Sequence, residues 1–396
     1  ANQLTSKKAG NLSHTHFNYS SDTQFCLMNT ITATEIIHSL KPINNIYFHI
    51  DDLNKYAKKI TALGKSIVKR NTNQEIISYV LYYDNDTDIF ISMVWTKPEY
   101  QGKGLAKELI KKLIDHSTKE IKLEVDHINP ARYLYNSLNF VKESENDKNM
   151  FMRYSRQLAI MQPYLFPYIG YFHLIEATDK IVFYDDVNYI KRGWINRNRI
   201  LLNHTDFIFT IPVQKASQNK LIKEIQPLID EKFTRKFFFQ IASAYKKAPN
   251  YNEVNELLKK VLTKPCDNIA DLAIRSIVSV YEYLGKEIKW TTSSVASPET
   301  KGMDKADRLI LITKNMGYKK YINAIGGQDL YTKAYFSANG VQLDFIQSKK
   351  IEYPQFNNEF IPRLSILDLL MFNDKKTVLE KFKEYTFHES KLTANI

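Results

Sequence analysis

A chain of 396 residues with 44% hydrophobic, 13% aromatic and 25% charged side chains exceeds one ordinary domain and is too apolar for disorder, so two folded units are expected. Its formal charge of +12 is uneven, about +3 over residues 1–155 and about +9 over residues 156–396, which points the second half toward an anionic partner without naming it. Two distant cysteines, Cys26 and Cys266, and nine scattered histidines form no disulfide framework and no metal-ligand spacing; with no bilayer-length apolar run and no signal-like start, a reducing cytoplasm is the expected setting.

Residues 1–30 are polar and are expected to wrap an edge of the first domain or stay loose. Helices are predicted over 32–40 and 51–63, then a hairpin from strand 75–83 through Asp84-Asn85-Asp86 to strand 88–95. Leu105, Ala106, Leu109, Ile110, Leu113 and Ile114 recur at helical spacing, with Lys107, Glu108, Lys111 and Lys112 on the wet face. Strand 121–125, helix 130–138 and a closing strand 151–154 follow. A new strand, 157–161, opens a half rich in Tyr, Phe, Pro and Asn, with helices near 231–247, 251–263, 267–284, 303–316 and 365–372. The expected fold class is α/β (α+β). A mixed central sheet flanked by helices fills 1–155, and a second α/β domain with a helix-rich middle fills 156–396.

The tract Gln101-Gly102-Lys103-Gly104-Leu105-Ala106 lies between a strand and an amphipathic helix. A helix start presents unpaired N–H groups and a partial positive charge, and glycines there let the backbone close on a pyrophosphate. The same glycines also suit a plain tight turn. Downstream stands Asn129-Pro130-Ala131-Arg132-Tyr133-Leu134-Tyr135, with Asn139-Phe140 after it.

Together these tracts resemble the GNAT superfamily of acetyl-CoA-dependent acetyltransferases. Its pyrophosphate pattern is matched by Gln101, Gly104 and Ala106, and its second pattern by Asn129, Ala131, Tyr135 and Phe140, with Asn139 where the family commonly has Gly. The resemblance implies acetyl-CoA as cofactor, aligned by the backbone around Met93 and Val94, held by residues 101–106, and touched by Asn129. It implies Tyr135 as the acid that protonates the leaving thiolate. A neutral amine must lose a proton on attack, so Glu124, Asp126 and His127, on the strand before Asn129, are candidate bases. Alternating polar residues at a strand end also suit a merely solvated edge.

In the second half, Gln162-Pro163-Tyr164 follows a strand and Asp185-Asp186 precedes Lys191-Arg192-Gly193-Trp194-Ile195-Asn196-Arg197-Asn198-Arg199. The aromatic stretch 164–172 reads as a packed loop. Alternation puts Arg197 and Arg199 on one face and Trp194, Asn196 and Asn198 on the other. Guanidinium forks suit phosphate and an indole suits a base or sugar, although a basic hairpin neutralised by Asp185 and Asp186 would look the same.

These tracts, with Gly170-Tyr171-Phe172, Tyr321-Ile322-Asn323, Gly326-Gly327 and Leu364-Ser365-Ile366-Leu367-Asp368, resemble the WbqC-like family, found with genes for O-antigen and other surface polysaccharides. Met161 stands where many members have His. Ser365 to Asp368 also fits a helix capping box, and Gly326-Gly327 a tight turn or a ligand loop. The fusion implies acetyl transfer to a nucleotide-linked amino sugar. In that reading Gln162, Tyr164, Asp185, Asp186, Lys191, Arg192, Trp194, Asn196, Arg197 and Arg199 form the substrate side, and the second domain either binds the sugar or first joins an acyl or aminoacyl group to it. The alternatives are a protein amine and a nucleic-acid acceptor such as transfer RNA, for which the basic, Tyr- and Phe-rich second half would be a binding module.

Overall fold

Apolar spacing at three to four residues, and alternation at two, sort the chain into helices and strands in the computed structural model. The described residues are 30–388, apart from 45, 47, 48, 118 and 358. The opening segment expected to wrap an edge or stay loose, Cys26 included, lies outside them. The chain divides into two units, Ala1–Ser155 and Arg156–Ile396.

In the first unit α1 (Ala33–Leu40) and α2 (Leu53–Leu63) precede β1 (Lys65–Arg70), β2 (Ile76–Asp84) and β3 (Asp88–Thr96). Then come α3 (Leu105–His116), β4 (Glu120–Asp126), α4 (Ala131–Asn136), β5 (Phe140–Glu145) and β6 (Asn149–Tyr154). Thr32 caps α1 in a reciprocal box with Glu35, and Asp52 caps α2 through Lys55 N. The sheet runs β1-β2-β3-β4-β6-β5 and is antiparallel except for the β3–β4 pair. Side chains alternate between its faces: Tyr79 and Leu81 pack with α1 and α2, whereas Val80, Ile89 and Ile91 pack with Leu109, Ile110, Leu113 and Ile114 of α3. Burying those four α3 side chains stabilises the helix by about 1.5–3 kcal/mol each.

The second unit contains β7 (Gln157–Met161), α5 (Ile169–Glu176), β8 (Lys180–Phe183) and the hairpin of β9 (Arg197–Leu202) and β10 (Thr205–Thr210). Its helical middle is α6 (Glu231–Tyr245), α7 (Tyr251–Thr263) and α8 (Ile269–Tyr283). After β11 (Trp290–Thr292), α9 (Ser293–Ala296) and α10 (Lys305–Asn315) come β12 (Lys320–Ala324), α11 (Lys333–Ala338) and β13 (Gln342–Ser348). The unit closes on α12 (Ile366–Phe372), α13 (Lys375–Lys381) and β14 (Tyr385–Phe387). Part of the stretch expected to be a loop, 169–172, is thus helical. Ser365 caps α12, but its own N–H donates to Arg199 O and the Asp368 carboxylate points to Tyr245, Tyr353 and Gln355, so the expected reciprocal capping box does not form.

The main sheet runs β11-β8-β7-β12-β13-β14, with every pair parallel but the last. Ala159, Ile181, Phe183, Ile322 and Ile346 pack with Phe172 of α5, Ile277 of α8 and Leu367 of α12. Leu158, Ile160, Val182, Tyr321 and Phe345 pack on the opposite face with Leu309 of α10 and Phe336 of α11. Both faces are covered, which is why β7 and β8 read as short apolar runs, Leu158 to Met161 and Ile181 to Phe183. From β7 the chain steps one way to β8 and β11, then crosses back to β12 and steps the other way to β13. The sheet is doubly wound, and its order reverses between β7 and β12.

Candidate functional site

In the first unit the parallel strands β3 and β4 pair from Asp88–Glu120 to Ile91–Leu123 and no further. Both continue, β3 to Thr96 and β4 to Asp126. Between the Tyr82–Ile91 and Leu81–Met93 pairs the ladder with β2 skips Ser92, a bulge that bends β3 where the opening starts. Ser92 Oγ is 2.9 Å from Tyr56 Oη of α2, which pins the bulge. Past it, Met93 packs toward one helix layer and Val94 toward the other. With side chains on the two faces, β3 presents backbone N–H and C=O groups across the opening.

Gly102 (φ 73°) and Gly104 (φ 79°) lead the chain from this opening into α3. Both are left-handed, a region that costs other L-residues strain. A Cβ added at either glycine would meet nothing within 4 Å, so the loop leaves clear space before the first turn of a 12-residue helix. Gln101 Nε2 donates to Thr96 O at 3.1 Å and Lys103 Nζ sits 4.7 Å from the Tyr100 ring. Residues 101–104 are exposed, and Leu105 and Ala106 are half-buried. A phosphate-bearing arm fits this cradle: unpaired N–H groups, a positive helix end and no side chain in the way.

Beside the opening, Asn129 Oδ1 accepts from Ala131 N at 2.9 Å and starts α4. Tyr135 of α4 is buried against Phe140, 5.8 Å between ring centroids, and burial pushes its phenol up. Asn139 takes φ 65°, the left-handed value that Gly would otherwise supply. Of the three candidate bases, Glu124 lies on the part of β4 that has left β3, exposed and hydrogen-bonded by Asn149 Nδ2. Asp126 Oδ1 accepts from Ile128 N at 3.0 Å within a turn. His127 Nε2 is 2.9 Å from Asn146 O, with Nδ1 3.9 Å from Glu145. Two of the three thus serve local structure.

In the second unit Arg197 and Arg199 do share a side of β9, but Trp194 joins them. Its ring centroid is 5.5 Å from the Arg197 guanidinium and 5.7 Å from that of Arg199. The expected placement of Trp194 on the opposite face fails because β9 begins only at Arg197 and Arg192 turns left-handed at φ 61°. Alternation therefore does not extend back to Trp194. Asn196 and Asn198 are buried. Asn196 accepts from Tyr189 Oη at 2.7 Å and donates to Ile211 O, while Asn198 Nδ2 donates to Leu165 O and Phe166 O at 2.9 Å. Asn198 thus fastens the hairpin to the loop that follows β7, and Asn196 ties the start of the hairpin to Tyr189 and to its far end at Ile211.

Asp185 and Asp186 do not neutralise the hairpin. Asp186 pairs with buried Arg308 at 2.7 Å, Asp185 takes Ser294 N and Oγ, and Ser293 Oγ donates to both carboxylates. The acid that meets the hairpin is Asp206, 3.1 Å from Arg199. Arg197 donates to the carbonyl oxygens of Arg192 and Gly193. Lys191, Arg192, Asn196 and Arg197 line an open cavity of about 260 Å³ with Tyr189 and Val213. The Tyr164 ring packs at a tilt against Tyr171, 5.6 Å between centroids, and Gln162 O accepts from Tyr171 Oη at 2.8 Å. Arg363 was not read from sequence; its carbonyl accepts from Arg199 Nη2 at 3.0 Å across 164 positions, a link without any local signal.

A mixed sheet whose one parallel pair parts ahead of a glycine-led helix defines an acetyl-CoA-dependent N-acetyltransferase domain, and the acetyltransferase (GNAT) family model matches residues 36–140. The WbqC-like protein family model matches residues 162–380, more than half of the chain, and the chain belongs to that family. It is an enzyme, with acetyl-CoA as its acyl donor. The uncharacterized protein Rv1507c of Mycobacterium tuberculosis is 27% identical over 222 residues, 54% of this chain and 93% of its own. A GNAT acetyltransferase from Staphylococcus aureus is 19% identical, covering 31% of this chain and 91% of its own at a TM-score of 0.27. The ribosomal-protein-S18-alanine N-acetyltransferase of Escherichia coli is 17% identical over 32% of this chain and 90% of its own, also at 0.27. Among the described residues no helix is long and apolar enough to cross a membrane, and no group of three or more His, Cys, Asp or Glu side chains could hold a metal.

Proposed function

We propose that the protein acetylates the amine of a nucleotide-linked amino sugar used for bacterial surface polysaccharide such as O-antigen, in the cytoplasm. The observation that carries this reading is the pair of guanidinium groups on one Trp194 ring, in a chain that also holds an acetyltransferase domain. Arginine forks match phosphate oxygens, and an indole face suits a base or sugar. The second unit holds the nucleotide end and the first performs the transfer.

Bound acetyl-CoA supplies an activated acetyl thioester. Residues 101–106 hold its pyrophosphate, the backbone of Met93 and Val94 aligns the thioester, and the Asn129 amide contacts the pantetheine arm. Glu124 takes a proton from the attacking amine, directly or through water. Tyr135 Oη gives a proton to the departing sulfur; its raised pKa keeps the phenol protonated at neutral pH. Asp126 and His127 position the strand end. Thiol release from acetyl-CoA across a panel of nucleotide-linked amino sugars and their glycyl derivatives tests the reading. Release with at least one member is expected, and silence across the panel from a folded protein that binds coenzyme A would remove it.

A further inference from the structure

The doubly wound sheet of the second unit has a reversal point that the arginine hairpin alone does not account for. Pairing between β7 and β12 ends at Ala159–Ile322, yet β7 runs on to Met161 and β12 to Ala324. Strands whose following segments leave in opposite directions open a crevice outside their carboxyl ends, where ligands of such sheets bind. One wall is the loop after β7. Leu165 N donates to Trp194 O, Asn198 clasps Leu165 and Phe166, and Ser365 N and Oγ donate to Arg199 O and Phe166 O. Three non-glycine residues in these segments are left-handed, Phe166 (φ 39°), Arg192 (φ 61°) and Arg363 (φ 59°). Each offers its carbonyl to this lattice of bonds. Such backbone persists only where its surroundings over-determine it, and it concentrates at binding sites.

The other wall follows β12. Gly327 is glycine by packing, since a Cβ there would lie 2.4 Å from Asn323 Nδ2. Gly326 has no such reason: its φ is outside the left-handed region and a Cβ would meet nothing within 4 Å. Neither conformation nor neighbours require a bare backbone at this exposed position, whereas a ligand lying against the end of β12 would. In the hairpin that clasps the loop after β7, Arg199 Nε is buried and meets no acceptor among the described residues, and Arg363, whose carbonyl accepts from Arg199, is exposed.

We infer that the crevice between the carboxyl ends of β7 and β12 is a ligand site of the second unit for a nucleoside diphosphate. The diphosphate lies on Arg199 and Arg363, and the remainder of the ligand passes over Gly326. This rests on the reading that the second unit holds the nucleotide end of the acceptor, and it places that end at the sheet edge rather than in the cavity beside Lys191.

Isothermal titration of the full chain with UDP, dTDP, GDP and CDP tests the inference. Gly326→Leu is the principal variant because a Cβ at this exposed position meets nothing within 4 Å, and Arg363→Asn is the second because Asn tolerates a left-handed backbone. At least one diphosphate is expected to bind the wild type, and to bind each variant about tenfold or more weakly, with melting temperature and coenzyme A affinity unchanged. Wild-type affinity in Gly326→Leu would overturn the crevice. If the Arg197→Ala, Arg199→Ala double variant loses binding while Gly326→Leu keeps it, the nucleotide reading stands and the crevice falls. Failure of all four diphosphates to bind the wild type would remove both.

Discussion

Ile91 and Leu123 are the last residues at which β3 and β4 pair, and the two parallel strands part beyond them. Everything assigned to acyl transfer lies past that pair in sequence: the Ser92 bulge and the glycine loop on one side, Glu124, Asn129 and Tyr135 on the other. A sheet that parts needs its helix layers to hold the two halves, and the packing of α3 across Val80, Ile91 and Leu123 does so.

Gly104 is left-handed and faces open space. Gly104→Ala should lower stability by about 1–2 kcal/mol from backbone strain. It should also raise the KM for acetyl-CoA, because the new methyl group occupies the pyrophosphate cradle. Chemical denaturation and steady-state kinetics read the two effects separately. An unchanged KM would place the pyrophosphate elsewhere.

Tyr135→Phe removes the proposed proton donor but little packing, since the ring stays against Phe140. A loss of about 10²–10⁴ in kcat is expected, with coenzyme A affinity retained. Glu124→Gln, which removes the proposed base, should lower kcat with coenzyme A affinity retained. Because burial raises the Tyr135 pKa, its deprotonation should not limit the rate at neutral pH.

The Asp186–Arg308 pair is enclosed, with side chains 2% and 4% exposed. Asp186→Ala leaves a buried guanidinium without its partner and should destabilise the second unit by about 3–5 kcal/mol. Urea unfolding followed by circular dichroism measures this. A change near zero would mean that solvent reaches Arg308.

His173 is fully buried, 2.8 Å from Ser348 Oγ and 2.9 Å from Lys381 O. Desolvation lowers its pKa below 6.5, against opposing effects from Lys381 O, Glu384 and Glu176. A depressed folded-state pKa contributes stability that is present above the unfolded value and lost as pH falls through the folded one. Melting temperature should therefore drop on acidification below about pH 6.5, and His173→Gln should flatten that part of the curve. Equal slopes in both proteins would show that other groups carry the transition.

Much of this was legible in sequence where the pattern is local. The apolar stripe of α3 and the glycines before it mark a strand, turn and helix in one continuous stretch from Asp88 to His116. Edge strands β1 and β5 leave no clear sequence pattern because each buries a single side chain, Val68 in one and Phe140 in the other. Helix α5 reads as a loop because Gly170 through Ile175 are all buried, leaving no polar stripe to reveal a period. Strand alternation places Trp194 on the wrong side because a left-handed Arg192 interrupts it. Contacts such as Asp186 with Arg308, 122 positions apart, have no local signature at all.

The most direct test of a divided labour between the units compares one amino sugar in two forms, free and nucleotide-linked, as acetyl acceptors. The wild type should show a much lower KM for the linked form. The Arg197→Ala, Arg199→Ala variant should lose that preference while keeping kcat, and Tyr135→Phe should keep the preference while losing kcat. Equal KM values for the free and linked sugars in the wild type would contradict the account.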